Sequence, residues 1–169
     1  MADVANSTLL QGNESIRDLA GALVVLVKTE WNAAVVDELE RGSLAVLHQN
    51  GIRTQTLVVP GAVEIPFAIR HFWKNAKKKE RPAGFIALGC VVRGDTPHFE
   101  YVCQAVTTGV TGLNLSLPVP TIFGVLTVNT QEQAEERIGG RHGHKGEEAA
   151  VTVLKMMVLA RDLKKEGSE

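Results

Sequence analysis

Residues 84–98 read Gly84-Phe-Ile-Ala-Leu-Gly-Cys-Val-Val-Arg-Gly-Asp-Thr-Pro-His98, and this stretch decides the fold. Its first nine residues are almost continuously apolar, which is typical of a strand buried on both faces. Gly94 breaks the strand, and Pro97 suits the first position of a helix. The stretch therefore predicts a strand, a turn and a helix, with His98 in the first helical turn.

The turn between this strand and helix offers two kinds of chemistry. Ligands of open α/β sheets bind at the carboxyl ends of the strands. The free backbone N–H groups at a helix start attract anions, and the imidazole of His98 can transfer protons near neutral pH. The same residue type at this position also fits a purely structural role, so the segment alone leaves both interpretations open.

The pattern of strand followed by helix extends to both sides. Further strands are predicted over residues 22–27, 53–59 and 121–128. Asn32 is predicted to cap the first helix and Gly51 to end it. Later helices are predicted from about 63 through the Lys-rich run 74–81, from 97 to about 117, from about 130 to 138, and from 147 to about 165. This alternation predicts a parallel sheet with helices on both faces.

Length and charge exclude several classes of protein. The chain has 169 residues, with 18 Lys and Arg against 19 Asp and Glu. We expect residues 1–20 to form a loosely held arm and residues 21–169 a single domain. A near-neutral balance argues against a general nucleic-acid or membrane-surface binder. The chain has neither Gly-x-Gly-x-x-Gly after its first strand nor a Walker-type loop, which disfavours dinucleotide and nucleoside-triphosphate chemistry.

The stretch from Tyr101 to Gln131 contains no charged side chain. Its threonines, prolines and Asn114 make a membrane span a poor interpretation, so we expect a buried helix and strand, with the helix packed on a neighbouring subunit.

No secretory signal is evident. The two cysteines, Cys90 and Cys103, lack metal-ligand spacing and are interpreted as buried thiols of a reducing compartment. A cytoplasmic location is therefore expected.

Two further side chains lie in turns that should meet beside His98. Trp31 follows the first strand and either covers the sheet edge or offers a stacking platform for a flat heterocycle. Glu64 follows a Pro-Gly break after the second strand. It is either a first-turn carboxylate favoured by the helix dipole or an acceptor for ligand hydroxyls.

A cationic, glycine-rich segment precedes the last helix. Arg137 and Lys145 flank four glycines, together with Arg141, His142 and His144. A loop that binds phosphate through Arg and Lys is one interpretation, and a solvent-exposed basic turn is the other. No carboxylate or thiol completes a metal site, so no metal is expected. Phe123 lies early in the fourth strand, away from the three turns, and could reach a ligand there only if a second subunit supplied it.

Five ordered motifs together give the chain a family resemblance over about residues 20–165. They are Trp31-Asn32, Val59-Pro-Gly-Ala-Val-Glu-Ile-Pro66, Gly89-Cys-Val-Val-Arg-Gly-Asp-Thr-Pro-His98, Phe123-Gly-Val-Leu-Thr127, and Glu136-Arg-Ile-Gly-Gly with His144-Lys-Gly-Glu-Glu-Ala-Ala150. The chain resembles the lumazine synthases, which carry out the penultimate step of riboflavin biosynthesis. The resemblance implies a flavodoxin-like three-layer α/β/α sandwich with a four-stranded parallel sheet. It also implies a transferase that needs no cofactor and condenses 5-amino-6-(D-ribitylamino)uracil with 3,4-dihydroxy-2-butanone 4-phosphate.

The resemblance also assigns roles to individual positions. Trp31 would stack on the pyrimidine, Glu64 would accept the ribityl hydroxyls, and His98 would shuttle protons. Further aminouracil contacts would come from Ala62, Val63, Cys90, Val91, Val92 and Phe123. The phosphate would be held by Asp95, Thr96, Arg137 and Lys145. In the family Phe123 and Arg137 come from the adjacent subunit, as Lys145 can.

Several positions depart from the usual family pattern. Trp31 stands where many members have Phe, Val63 often corresponds to Phe, His144 often corresponds to Asn, and Glu147 is commonly apolar or aromatic. The linker from Arg137 to Lys145 is short, and in the family a short linker permits an icosahedral capsid of sixty subunits. The resemblance thus implies a homopentamer at least, favours the capsid, and allows riboflavin synthase as a partner.

Two alternatives keep the fold but change the function. An archaeal-type riboflavin synthase would dismutate the lumazine product. A flavin- or lumazine-binding shell protein would have no activity. The combination of Glu64, His98, Arg137 and Lys145 favours the lumazine synthase over both, because a flavin carrier need not hold a four-carbon phosphate.

Overall fold

The computed structural model describes residues 7–10 and 14–167. Its strands are β1 (Leu23–Thr29), β2 (Arg53–Val59), β3 (Gly84–Val92), β4 (Thr121–Val128), β5 (Ile138–Gly140) and β6 (Gly143–His144). Its helices are α1 (Ala33–Gln49), α2 (Ile65–Asn75), α3 (His98–Ser116), α4 (Gln131–Glu135) and α5 (Lys145–Glu166). Short 3-10 turns cover Glu14–Leu19, Ala62–Glu64 and Lys78–Glu80.

Strands β1 to β4 form one sheet in the order β2-β1-β3-β4, and every pairing is parallel. Parallel neighbours need crossover connections, and α1, α2 and α3 supply them. Because all four strands run the same way, their carboxyl ends lie at one edge of the sheet. The predicted flavodoxin-like α/β fold with a four-stranded parallel sheet is confirmed.

The helices cover the sheet on both faces, which explains the continuous apolar strands. Val24 and Leu26 of β1 join the core cluster beneath α1 and α5. Val25 and Val27 point the other way and join the cluster beneath α2 and α3. All four side chains are fully buried, as expected when consecutive residues of a strand face opposite layers.

Three predictions about local structure are wrong. The second helix ends at Asn75 rather than continuing through the Lys-rich run, because Ala76 is extended and a separate 3-10 turn follows. Asn32 stands at the start of α1, but its side chain makes no capping hydrogen bond. The glycine-rich segment is not an open loop: β5 and β6 pair as an antiparallel hairpin, and α5 begins at Lys145 instead of 147.

The predicted arm of residues 1–20 falls partly outside the described residues, since 1–6 and 11–13 are not described. The 3-10 turn at Glu14–Leu19 contributes Ile16 and Leu19 to the core. The division of the chain into an arm and a domain stays a prediction.

Candidate active site

The turns that follow β1, β2 and β3 meet at the carboxyl edge of the sheet. The backbone N–H of Glu30 donates to Val59 O at 2.9 Å, which joins the first turn to the end of β2. Asn32 Nδ2 donates to Cys90 O at 2.8 Å, which joins the same turn to β3. The predicted convergence of these three turns is therefore present in the structure.

Gly61 lies between two of the candidate side chains. A Cβ built on Gly61 would lie 3.0 Å from Glu64 Oε2 and 3.6 Å from Trp31 Cδ1. Trp31 is 74% exposed, so its ring does not cover the sheet edge. Ala62 beside them is buried, whereas Val63 is exposed. An exposed aromatic ring and a carboxylate thus both lie beside Gly61, in the turn that follows β2.

The end of β3 leaves backbone groups without a strand partner on one side. Pairing with β1 stops at Leu88, opposite Lys28. Arg93 N donates to Val128 O, so it points toward β4. Backbone groups alternate sides along a strand, and those of Val92 therefore point to the side beyond the end of β1. These amide and carbonyl groups can read the edge of a planar ligand.

The thiol of Cys90 is not suited to nucleophilic chemistry. Its side chain is buried, and burial raises the pKa of the thiol to about 11. Only the thiolate is a strong nucleophile, and almost none is present near neutral pH. The same cause raises the pKa of the Cys103 thiol.

Contacts of Arg93 fix one side of the turn from β3 into α3, and the other side of the turn is exposed to solvent. Arg93 Nε donates to Asn129 Oδ1 at 2.9 Å, and its guanidinium carbon lies 4.2 Å from the centre of the Phe99 ring. Arg93 also forms an ion pair with Glu100, and this hydrogen bond lowers the pKa of the Glu100 carboxyl.

The exposed part of this turn contains the candidate phosphate and proton-transfer groups. Asp95, Thr96 and His98 are all exposed, and His98 is the first residue of α3. The N–H groups of a first helical turn have no partner within the helix, and the helix dipole favours an anion there. The imidazole of His98 thus lies in the same helical turn as these N–H groups.

A second group of candidate residues lies beside β4, an edge strand of the sheet. Phe123 and Lys145 line a cavity of about 730 Å³. Lys145 Nζ lies 2.8 Å from both carboxylate oxygens of Glu148, a partner that the sequence analysis missed. Phe123 is 40% exposed. None of the residues that line this cavity belongs to the group around Trp31, Glu64 and His98.

Arg137 is held next to Lys145 by backbone and side-chain contacts. Lys145 N donates to Arg137 O at 2.8 Å, and Arg137 Nη1 donates to Gln133 O at 2.6 Å. The Nε of Arg137 is enclosed without a hydrogen-bond partner among the described residues. The candidate residues thus form two groups. Trp31, Glu64 and His98 lie at the carboxyl edge of the sheet, and Phe123, Arg137 and Lys145 lie on the β4 side.

Sequence reasoning missed Asn32 and Gly61 as residues that build the first group. Asn32 has left-handed backbone angles, φ 58° and ψ 41°, which Asn tolerates better than most residues. Its amide reaches β3, a contact that no local pattern reveals. The sequence shows the Pro-Gly break at Gly61, but it does not show that Trp31 and Glu64 both lie next to this glycine.

Among the described residues, no three His, Cys, Asp or Glu side chains are grouped closely enough to hold a metal ion. None of the described helices is sufficiently long and apolar to cross a membrane.

The sheet order defines a flavodoxin-like α/β protein, a class of folds whose ligands bind at the carboxyl ends of the strands. The comparison with known proteins identifies the family. A family model described as 6,7-dimethyl-8-ribityllumazine synthase matches residues 21–161. The chain belongs to this family, whose members are enzymes of the transferase class in riboflavin biosynthesis.

Individual relatives agree with the family model. Proteins named 6,7-dimethyl-8-ribityllumazine synthase from Parabacteroides distasonis and Porphyromonas gingivalis are 45% and 50% identical to this chain over 146 and 135 residues. The alignments cover 85% and 78% of this chain, and 89% and 81% of the two relatives. A third relative of the same name, from Bdellovibrio bacteriovorus, is 43% identical over 141 residues, which are 83% of this chain and 76% of that protein.

Proposed function

We propose that this protein condenses 5-amino-6-(D-ribitylamino)uracil with 3,4-dihydroxy-2-butanone 4-phosphate to give 6,7-dimethyl-8-ribityllumazine, phosphate and water. The observation that carries the proposal is the turn at Gly61 after β2, where the exposed indole of Trp31 and the carboxylate of Glu64 lie close together. This arrangement suits a flat heterocycle that carries a hydroxylated chain. The family membership of the chain supports the same reaction.

Each group at the carboxyl edge has a role in this proposal. The ring of Trp31 stacks on the pyrimidine, and Glu64 accepts hydrogen bonds from the ribityl hydroxyls, with Ala62 and Val63 along the chain. Backbone groups of Cys90, Val91 and Val92 read the uracil edge. The exposed surface of Trp31 supports stacking, and the free side of β3 at Val92 supports a backbone contact there.

The second substrate binds through its phosphate. Asp95 and Thr96 hold the phosphate at the start of α3, where the helix dipole favours negative charge. The amine of the uracil attacks the ketone carbon and an imine forms with loss of water. The phosphate then leaves, and the ring closes with loss of a second water. His98 carries protons between the amine, the carbonyl oxygen and the leaving phosphate.

Orientation of the two substrates supplies much of the rate. Reactants held in the right geometry gain about 7–11 kcal/mol over free solution, whereas a positioned acid or base contributes about 10²–10⁴-fold. His98 therefore assists a reaction that the site already favours by bringing the amine and ketone together.

We further propose that each site is completed by an adjacent subunit, which supplies Phe123, Arg137 and Lys145. The separation of the two groups within one chain supports this assembly, since Phe123 and Lys145 line a cavity of their own beside β4. The exposed Phe67, Tyr101 and Leu115 on α2 and α3 support burial against further copies. The proposed assembly is a pentamer or an icosahedral capsid of twelve pentamers, located in the cytoplasm, and riboflavin synthase is a proposed partner.

Mixing two inactive variants tests the shared site. Glu64→Ala removes one half and Arg137→Ala removes the other, so each variant alone should be almost inactive. If the subunits are dissociated, mixed in equal amounts and reassembled, about a quarter of the sites in a head-to-tail ring regain both intact halves. A mixture no more active than the two separate variants would refute the shared site.

Incubation with the two substrates tests the reaction itself. Lumazine absorbance and fluorescence should grow with time. Conversion of added lumazine to riboflavin would instead indicate the riboflavin synthase, and tight flavin binding without turnover would indicate the shell protein.

A further inference from the structure

A buried histidine that the proposed reaction does not use lies directly behind Arg137 and Lys145. His144 ends β6 and is 8% exposed. Its ring packs against α1, where a Cβ on Gly42 would lie only 2.2 Å from His144 Cε1. Glycine at this point of α1 therefore makes room for the imidazole, and the ring fills the space between α1 and the start of α5.

The two ring nitrogens of His144 contact two different helices. Nδ1 accepts from the backbone N–H of Glu147 at 3.4 Å and so caps the N-terminus of α5. Nε2 lies 3.4 Å from Glu38 Oε1 on α1. The neutral tautomer with its proton on Nε2 satisfies both contacts at once. The ring thereby connects the first turn of α5 to α1.

The residues around His144 are those proposed to bind phosphate. His144 pairs with Ile138 in the β5–β6 hairpin, one residue after Arg137. Lys145 is the next residue in the chain, and its N–H donates to Arg137 O. A displacement of His144 would therefore carry both cations with it. The long α1, whose inner face is part of the core, provides a fixed support.

We propose that His144 is a positioning residue for the phosphate half of the site. It does not touch substrate. It fixes the hairpin and the start of α5 against α1, so that Arg137 and Lys145 are presented together at the β4 side. The proposal rests on the proposed function for its substrate, a phosphate monoester, but the geometry that carries it is independent of the condensation.

The charged groups around His144 keep other partners when the ring is removed. Arg41 Nε also donates to the Glu38 carboxylate at 2.8 Å. The Glu38 carboxylate therefore keeps a hydrogen-bond partner in His144→Ala. Glu147 and Glu148 follow on α5, and Glu148 is already paired with Lys145. Loss of the ring thus removes one helix cap and one contact with α1, without creating a buried unpaired charge.

Two measurements on His144→Ala test the proposal. The KM for the butanone phosphate and the Kd for inorganic phosphate, measured by ³¹P NMR or calorimetry, should rise together by about five- to tenfold, the scale of a lost helix cap. The KM for the aminouracil should change by less than about twofold, because its contacts lie on other turns. His144→Asn keeps an acceptor for Glu147 N–H and should recover part of the phosphate affinity.

A second pair of variants tests the same proposal if His144→Ala does not fold. Glu38→Ala removes the contact of His144 with α1 and should weaken phosphate binding by about two- to threefold, a smaller effect because the cap remains. Arg41→Ala is the matched control, since it removes the other partner of Glu38 and leaves His144 in place. It should bind phosphate like the wild type.

The outcomes separate this inference from the proposed function. Equal phosphate affinity in His144→Ala and wild type would overturn it, as would an equal loss of affinity for both substrates. A wild-type protein that binds phosphate but forms no lumazine would overturn the proposed function alone, and the change in Kd would still decide the role of His144.

Discussion

Replacing Asn32 by alanine tests the contact that joins the first turn to the end of β3. The side chain donates to Cys90 O at 2.8 Å, and a hydrogen bond of this kind contributes about 1 kcal/mol. The residue also has φ 58°, a conformation that costs alanine about 1 kcal/mol more than Asn or Gly. Asn32→Ala should therefore lower the free energy of unfolding by about 2 kcal/mol. Asn32→Gly loses only the hydrogen bond and should lower it by about 1 kcal/mol.

The assay is the thermal unfolding midpoint, measured at one protein concentration because the apparent stability of an oligomer depends on its concentration. For a chain of this length, 2 kcal/mol corresponds to a shift of roughly 4–8 °C. Both variants should also raise the KM for the aminouracil, since β3 loses the group that fixes Cys90 O. Equal stability of the alanine and glycine variants would refute the assigned backbone strain. Wild-type stability and wild-type KM in both would refute the hydrogen bond.

Three further variants test separate parts of the structure. His98→Ala should lower kcat by about 10²-fold, at the low end for a positioned acid or base, and leave measurable activity because substrate orientation remains. Gly146→Ala should lower the free energy of unfolding by at least about 3 kcal/mol, because its Cβ would lie 2.0 Å from a backbone oxygen of α1. Glu38→Gln should flatten the acid limb of the stability curve. Arg41 holds the Glu38 pKa at about 2, below its ordinary 4.5, so the stability gained is complete above pH 4.5 and is lost as the pH falls toward 2.

The measurements are kinetics, denaturant unfolding and unfolding as a function of pH. Gly112→Ala is the control for Gly146→Ala, with both measured on dissociated subunits, since a Cβ at Gly112 meets nothing within 4 Å in the single chain and should there be neutral or stabilising. Undetectable activity in folded His98→Ala would contradict its assisting role. Equal stability of the two glycine variants would contradict the close approach of α1 and α5, and identical acid limbs in wild type and Glu38→Gln would contradict the shifted pKa.

Much of the fold could be predicted because the signals are strong and local. The apolar run in β3 and the glycine-broken turn before His98 specify a buried strand and its helix. Helix ends were harder, because they depend on single backbone angles: α2 ends where Ala76 is extended. The hairpin of β5 and β6 was missed because two- and three-residue strands carry no periodicity.

The candidate site could be predicted only in part, for a related reason. The residue types at the carboxyl edge follow from topology, since parallel strands bring Trp31, Glu64 and His98 to one side. Contacts between distant residues do not follow from local patterns. The sequence predicts Asn32 as a helix cap, but its amide contacts β3. It places His144 in a cationic, glycine-rich loop, but the ring of His144 packs against α1 at Gly42.

The most direct test of the central claim is the stoichiometry of the reaction with both substrates present. Lumazine, followed by its absorbance and fluorescence, and inorganic phosphate, measured in the same samples, should appear one for one, and Arg137→Ala should slow both equally. Phosphate release without lumazine, or no reaction from a folded protein that binds both substrates, would contradict the account.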